Sequence, residues 1–370
     1  MLLLHSPSPL RHAFYETFLH IHIVTAAVAI AGVYMHVRQL PQRRILQAVV
    51  ALWVIERITR LCTIIYRNIG NGGTKAEIEV LPGDAVRITM KVARPWRFKT
   101  GQHAYIYLPA IGWWTSHPFS VAWSDLEEDV ADEKGLVMNV KDVEEMRRKK
   151  ETVSFVIRRR TGFTETLYKK ADVSPSGKFI TTAIVEGPYG KKLPPHPPSP
   201  HYLVSHLLTT NLGVQTHHSY GTVLLFAAGV GITHQVPHIR DLVTGFSTGT
   251  VAARKVILVW IIQSPEHLEW IRPWMTTILG LPRRREVLKI LLFVTRPRST
   301  KEIHSPSSSV QMFPGKPNVQ ALVDAEAESA VGAMCVSVCG TGGLADDVRR
   351  ATRRWMTRGN VDFLEESFSW

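Results

Sequence analysis

Gly221-Thr-Val-Leu-Leu-Phe-Ala-Ala-Gly-Val-Gly-Ile-Thr233 decides the fold of the C-terminal half. Its apolar run reads as a buried strand that ends in Gly229-Val-Gly231, and His234 to Leu242 then reads as a helix. A Gly-x-Gly turn between strand and helix lets the backbone approach a pyrophosphate and aims helix N–H groups at it. The three-glycine fingerprint is incomplete here, so the turn needs support from its surroundings. Lys255 to Ile262, Leu288 to Val294 and Ala333 to Cys339 supply further strands. Strand, glycine turn and helix recur in Cys339-Gly-Thr-Gly-Gly343 followed by Leu344 to Arg349. Alternating strands and helices imply a parallel sheet with ligands at the carboxyl ends of its strands. Residues 220–370 are therefore expected to form an α/β dinucleotide domain. Gly229, Gly231 and Gly340 would border the dinucleotide, and Thr233 would bond a phosphate or the nicotinamide amide. Cys339 stands at a strand end, either beside a nicotinamide or as a small buried hydrophobe. Arg296, Arg298 and Lys316 are candidates for a 2′-phosphate.

Upstream, residues 75–190 change period. Ala76 to Val80, Ala85 to Val92, Gln102 to Leu108, Val153 to Ile157 and Phe179 to Val185 alternate with a period of two between Pro and Gly breaks. That pattern predicts an antiparallel β-barrel. The charged stretch Asp125 to Glu151 reads as a solvated excursion from it. Within this region lies His117-Pro-Phe-Ser-Val-Ala-Trp123. A flavin ring needs an apolar platform and a hydrogen-bond partner near N5. His117 can donate, Pro118 and Phe119 can pack, and the Ser120 hydroxyl can reach N5. The cofactor carries the redox chemistry, and the protein places and tunes it. A second cluster, Ile157-Arg-Arg-Arg-Thr-Gly-Phe-Thr164, offers Arg158, Gly162 and Thr164 as a pyrophosphate cradle. Taken singly, each reads equally well as a turn or a solvated strand end.

The first residues form a short tail (1–10), without the basic start of a signal peptide. In 11–70, Leu19 to Val37 is almost wholly apolar and about long enough to span a bilayer. His22 and His36 are fourteen residues apart, which places them within ~40° on one helix face and ~21 Å apart along it. Two imidazoles so spaced suit two stacked haems, and ionisable groups at membrane depth lean functional. An interfacial histidine is the plainer reading. Ile45 to Ile55 opens a second apolar segment, whose far half carries Arg57 and Arg60 as an interfacial amphipathic end.

The formal net charge is +13 and the hydrophobic content 45%. The basic residues are scattered, with no zinc-finger or RNP-type pattern, which argues against nucleic acid. Three cysteines make no disulfide framework. Residues 191–219 crowd prolines and, from His201 onward, four histidines without a ligand pattern, and read as a disordered insert. The aromatic end, Val361 to Trp370, could cover a flavin ring face through Trp370.

In order along the chain, these stretches resemble the fungal ferric reductases, relatives of the NADPH oxidases. The match runs through His22 and His36, Gly101-Gln-His103, His117 to Ala122, Arg158 with Gly162-Phe-Thr164, Gly187-Pro-Tyr-Gly190, Ala228 to Thr233, Ser264-Pro-Glu266, Cys339-Gly340 and Glu365 to Trp370. The resemblance implies transmembrane α-helices followed by a ferredoxin–NADP reductase-like module. It implies electron flow from NADPH through FAD and haem b to ferric chelates across a membrane, with the cofactor domains cytosolic. It adds Gly187 to the flavin site, and gives Ser120, Cys339 and Trp370 roles at the reacting rings. Family members carry further membrane helices before the one at Leu19, including the opposing haem histidines, so a shortened member is expected. Gln263, where an arginine is common, leaves NADPH against NADH open. A superoxide-generating oxidase and a non-catalytic remnant are the rival readings.

Overall fold

In the computed structural model, residues 15–366 are described, apart from 71, 95–97, 113, 114, 126–151, 191–216, 298, 300–302 and 359. Two helices come first, α1 (Tyr15–His36) and α2 (Arg43–Asn68). Their exposed apolar residues include Val24, Val28 and Met35 on α1 and Leu52, Trp53 and Ile55 on α2. Among the described residues no helix is long and apolar enough to cross a membrane. This departs from the expected span at Leu19. Glu56, Arg57 and Arg60 interrupt the apolar run of α2.

The β-rich region builds two antiparallel sheets. The larger has the order β5-β6-β2-β1-β7 and the smaller β4-β3-β8. Their strands are β1 (Lys75–Leu81), β2 (Ala85–Lys91), β3 (His103–Tyr107), β4 (His117–Ser120), β5 (Trp123–Ser124), β6 (Thr152–Arg158), β7 (Lys178–Thr182) and β8 (Ile184–Tyr189). Alternation puts Ile78, Ile88 and Phe155 in register on one face, where they meet Ile106 and Val185 of the smaller sheet in a single core. Helix α3 (Phe163–Asp172) closes one end, burying Phe163, Leu167 and Ala171. The single strand expected at Phe179 to Val185 is two strands. β7 pairs with β1, whereas β8 pairs with β3. The chain turns the corner at buried Ala183, whose N–H bonds the Thr74 carbonyl at 3.1 Å.

The C-terminal half is a six-stranded, all-parallel sheet ordered β12-β11-β10-β9-β13-β14. Its strands are β9 (Thr222–Ala228), β10 (Lys255–Ile262), β11 (Leu288–Val294), β12 (Val310–Pro314), β13 (Met334–Cys339) and β14 (Val361–Glu366). Central β9 and β13 are almost continuously apolar, as a strand covered on both faces requires. Helices α4 (Ile232–Thr248) and α5 (Arg272–Gly280) cover one face; α6 (Val319–Glu328) and α7 (Gly342–Met356) cover the other. Two helix boundaries have a clear local cause. The Asn318 side chain caps α6 by accepting from Ala321 N–H at 3.0 Å. Gly249, left-handed at φ 74°, ends α4. The expected helix after Thr233 is longer than its period suggested and tolerates Pro237 within it. The aromatic C-terminal stretch is in part a strand, β14, beside β13.

The apolar layer under α4 and α5 does not stop at the domain boundary. It continues into the β-rich region through Leu81, Ala85, Ala122, Trp123 and Val156.

Candidate functional site

Strand order locates the dinucleotide site. From β9 the chain moves outward through β10, β11 and β12, then returns to place β13 and β14 on the other side of β9. The reversal lies between β9 and β13, and ligands of open parallel sheets bind at the carboxyl ends of the strands flanking such a point. Those ends are the Gly229–Gly231 turn, leading into α4, and Cys339-Gly340, leading into α7. The two turns interlock. A Cβ on Gly231 would lie 2.2 Å from the Cys339 carbonyl oxygen, and one on Gly340 would lie 2.7 Å from the Ala228 Cβ. Gly229 is different, since at φ 53° it faces open space. Gly229, Gly231 and Gly340 therefore come together as expected.

Cys339 stands at the strand end but is buried, 1% exposed. The Thr233 hydroxyl is also buried and donates to the Val230 carbonyl at 2.9 Å, so its proton is used within the turn. Arg296, exposed, follows the carboxyl end of β11 and donates its N–H to the Gln263 carbonyl at 3.0 Å. Lys316 is exposed beyond β12. Arg298 and Trp370 lie outside the described residues.

The flavin-type residues lie across the cleft. β4 carries His117-Pro118-Phe119-Ser120, paired so that Ser120 lies opposite His103 and His117 opposite Ile106. Ser120 is 9% exposed. The His117 ring stacks on Phe163, with centroids 4.3 Å apart, and lies 6.4 Å from Phe119. Phe163 is the first residue of α3, whose N-cap is Gly162 at φ 74°. The start of α3 thus joins the His117 strand to the basic cluster. An open cavity of about 260 Å³ lies among Asp84, Arg158, Arg159, Arg160, Thr161 and Glu165. Arginines beside a helix N-terminus suit an anion such as a pyrophosphate. Thr164 has a local task, accepting from the Arg160 N–H at 2.9 Å. Arg158 reaches across the modules, donating to the Gln263 Oε1 at 3.3 Å. β6, which ends in Arg158, also packs on the Gly229–Gly231 turn.

Gly187 is not part of that cavity. It lies on β8, where a Cβ would approach Ala104 of β3 at 3.3 Å, and its carbonyl accepts from Arg67 of α2. Around it, a groove of about 370 Å³ runs between α2 and β8. Of the interfacial arginines expected on α2, Arg60 holds the β-rich module, whereas Arg57 pairs with neighbouring Glu56. Arg60 donates from Nε and Nη2 to Glu186 at 2.5 and 2.8 Å. Tyr107 and Tyr189 donate to the same carboxylate at 3.2 and 2.5 Å. Burial alone would raise the Glu186 pKa, but the bonds from Arg60 and Tyr189 outweigh it and hold it below the ordinary carboxylate value. Burial, then Glu186, pushes the Tyr189 hydroxyl up to about 12.

A small cleft of about 50 Å³ where the modules meet is lined by Gly101, Gly190, His217, His234, His238 and Glu366, among others. His217 belongs to the expected insert, yet His217–Ser219 form a 3-10 turn against α4. Among the described residues neither ring nitrogen of His217 has a hydrogen-bond partner. Burial, then neighbouring His218, pushes its pKa down from 6.5 to about 4. The sign follows from linkage: a histidine held neutral by folding contributes stability above its unfolded pKa, and that contribution is lost as pH falls through 6.5 toward about 4. The parent should lose on the order of 3 kcal/mol over that window from this group. His217→Leu should flatten the pH dependence of Tm there, and equal acid sensitivity in both proteins would refute the assignment.

His22 and His36 both lie on α1, exposed. His22 stacks on Phe18, with centroids 5.9 Å apart. No group of three or more metal-ligating side chains is assembled among the described residues.

Sequence comparison agrees with the two-module division. A FAD-binding domain family model matches residues 71–193, and the ferric reductase NAD binding domain model matches residues 220–353. The ferric/cupric reductase transmembrane component 2 of Saccharomyces cerevisiae is 24% identical over 97% of this chain and 47% of its own length. The probable cell surface ferric reductase kap2 of Aspergillus oryzae is 28% identical over 74% of this chain and 32% of its own. The chain thus spans about half the length, or less, of these relatives. Among solved structures, an Amycolatopsis cytochrome P450 reductase, GcoB, aligns over 80% of this chain and 70% of its own, with 16% identity and a TM-score of 0.48.

Proposed function

This chain belongs to the ferric reductase family, and from that premise we propose that its two modules are the electron-donating half of a membrane-bound ferric-chelate reductase. As an NAD(P)H-dependent flavin oxidoreductase it takes electrons from a nicotinamide; NADPH as donor and ferric chelates as acceptor are the proposed specifics. One observation carries the reading. The interlocked glycine turns at the sheet's switch point abut β6 of the flavin module, and Arg158 bridges to Gln263 at that junction.

The chemistry that FAD would supply when bound is acceptance of one hydride, carrying two electrons, and their release singly. The chain's residues do the rest. Arg158 and the start of α3 at Gly162 hold the pyrophosphate side, and Thr164 fixes that turn. Pro118 and Phe119 shape the ring seat, and the Ser120 hydroxyl bonds the reacting edge. Gly229 and Gly231 let the backbone approach the nicotinamide dinucleotide, and Gly340 and Cys339 floor its ring. Arg296 and Lys316, both exposed, are the proposed contacts of the 2′-phosphate of NADPH. Trp370 is assigned the ring cover. In the same reading, His22 and His36 would hold haem b, and α1 and α2 associate with a plasma membrane.

Supplying the FAD-loaded chain with NADPH and a soluble ferric chelate should give steady ferrous production that exceeds oxygen consumption. Oxygen consumption that outruns ferrous production would favour the oxidase. Reduction of neither would favour a nucleotide-binding remnant.

A further inference from the structure

The two modules also meet away from the glycine turns, through four flat side chains in contact order. Arg240 of α4 lies over Trp123 of β5, with its guanidinium carbon 4.4 Å from the ring centroid. Trp123 lies parallel to Trp274 of α5, centroids 6.0 Å apart and planes 6° apart. Arg87 of β2 lies over Trp274 at 5.5 Å. The layers therefore belong in turn to the dinucleotide, flavin, dinucleotide and flavin modules. Both indoles are buried, Trp123 at 5% and Trp274 at 6% exposure.

Each arginine is fastened to the opposite module as well. Arg240 donates to the Ser124 carbonyl at 2.8 Å, and Arg87 to the Glu269 and Trp270 carbonyls at 3.1 Å each. A guanidinium can lie on a ring and donate in its own plane at once, which an ammonium cannot. Trp270 adds a bond from its indole N–H to the Pro82 carbonyl at 2.6 Å. Sliding one module past the other would require both interleaved rings to withdraw.

The stack grips segments that lead to both cofactor seats. Trp123 lies three residues beyond Ser120. Arg240 lies eight residues beyond Ile232, the start of α4, or ~12 Å along the helix. Hydride transfer requires reacting atoms ~3–3.5 Å apart, and a misplacement of ~1 Å costs about 100-fold. We propose that the Arg240–Trp123–Trp274–Arg87 stack is a positioning device that sets the separation of the flavin seat from the dinucleotide turn. Its residues touch neither cofactor, and their effect on the reaction is through Ser120 and α4. This inference rests on the flavin–nicotinamide reading above.

The test uses the whole FAD-loaded chain with Trp274→Leu, the milder Arg240→Met and the conservative Trp274→Phe. Rapid-mixing reduction by NADPH should slow at least tenfold in the first two. The NADPH concentration for half-maximal rate and the FAD content should stay near the parent's, and Trp274→Phe should keep most of the rate. An unchanged limiting rate in Trp274→Leu, or a loss arising wholly from weaker NADPH or FAD binding, would overturn the proposal. A second measurement does not depend on the chemistry. Spin labels at Lys91 and Lys289, both exposed and on opposite modules, report the intermodule distance in a Cys62→Ser background. One narrow distribution is expected in the parent and a broadened one in Trp274→Leu; equal widths overturn the stack as a positioning device. A parent that nicotinamides fail to reduce would sink the proposed function, while the distance measurement would still decide the stack.

Discussion

Gly231→Ala should all but abolish reduction of bound flavin by NADPH and lower Tm by several degrees. The added methyl would lie 2.2 Å from the Cys339 oxygen and 2.7 Å from its carbonyl carbon, both backbone atoms that have no rotamer to change. Either β9 and β13 part at their carboxyl ends or the turn rotates, and both displace the start of α4. Overpacking costs about 1–3 kcal/mol, and a backbone clash belongs at the upper end. For a module of this size that is a fall of about 5–10 °C. The kinetic loss should exceed about 100-fold, because the turn sets where the nicotinamide ring lies. Gly229→Ala is the control for stability. Its methyl would meet nothing within 4 Å, so only the left-handed backbone is strained, at about 1 kcal/mol. Thermal melts with single-turnover reduction compare the two, and equal Tm values for both variants would contradict the interlocked turns.

Glu186→Ala should produce the largest loss of stability in the flavin module. Glu186 is 4% exposed and receives bonds from Arg60, Tyr107 and Tyr189. Removing it strands a guanidinium and two hydroxyls beside β8. Breaking a buried pair costs about 3–5 kcal/mol, and because Arg60 remains one-third exposed the lower end, about 3 kcal/mol, applies. Glu186→Gln keeps an acceptor for the tyrosines and should lose about half as much. Since the Glu186 pKa is lowered on folding, its contribution is present above the unfolded carboxylate value and lost as pH falls through the folded one. The difference in Tm between parent and Glu186→Gln should therefore shrink in acid. A pH-independent difference would show that the carboxylate charge is not what α2 recognises.

Legibility in the sequence followed locality. The run into Gly229-Val-Gly231 could be read because a buried parallel strand and a tight turn each leave a contiguous signature. His117 to Ser120 could be located for the same reason, and the switch point followed once the strands were ordered. The division of β7 from β8 could not be read, because the corner at Ala183 depends on which sheet each half joins, not on composition. Thr233 offered a hydroxyl at a promising position, but its bond to Val230 exists only once the turn has formed. Gly187 resembled a flavin residue in sequence and packs toward α2 in space. Arg60 and Glu186 are separated by 126 positions, and no periodicity links them. Trp123 was in plain view at the end of a motif, while its partner Trp274 lay in a segment without one.

In the proposed function, these two modules pass electrons from a nicotinamide to a flavin held at His117 to Ser120. The most direct measurement is the absorbance of the FAD-loaded chain as NADPH is added without oxygen. One equivalent of NADPH should bleach the flavin, and a ferric chelate added afterwards should restore it. A chain that binds FAD but stays oxidised with excess NADPH and NADH, or that retains no FAD, would contradict the account.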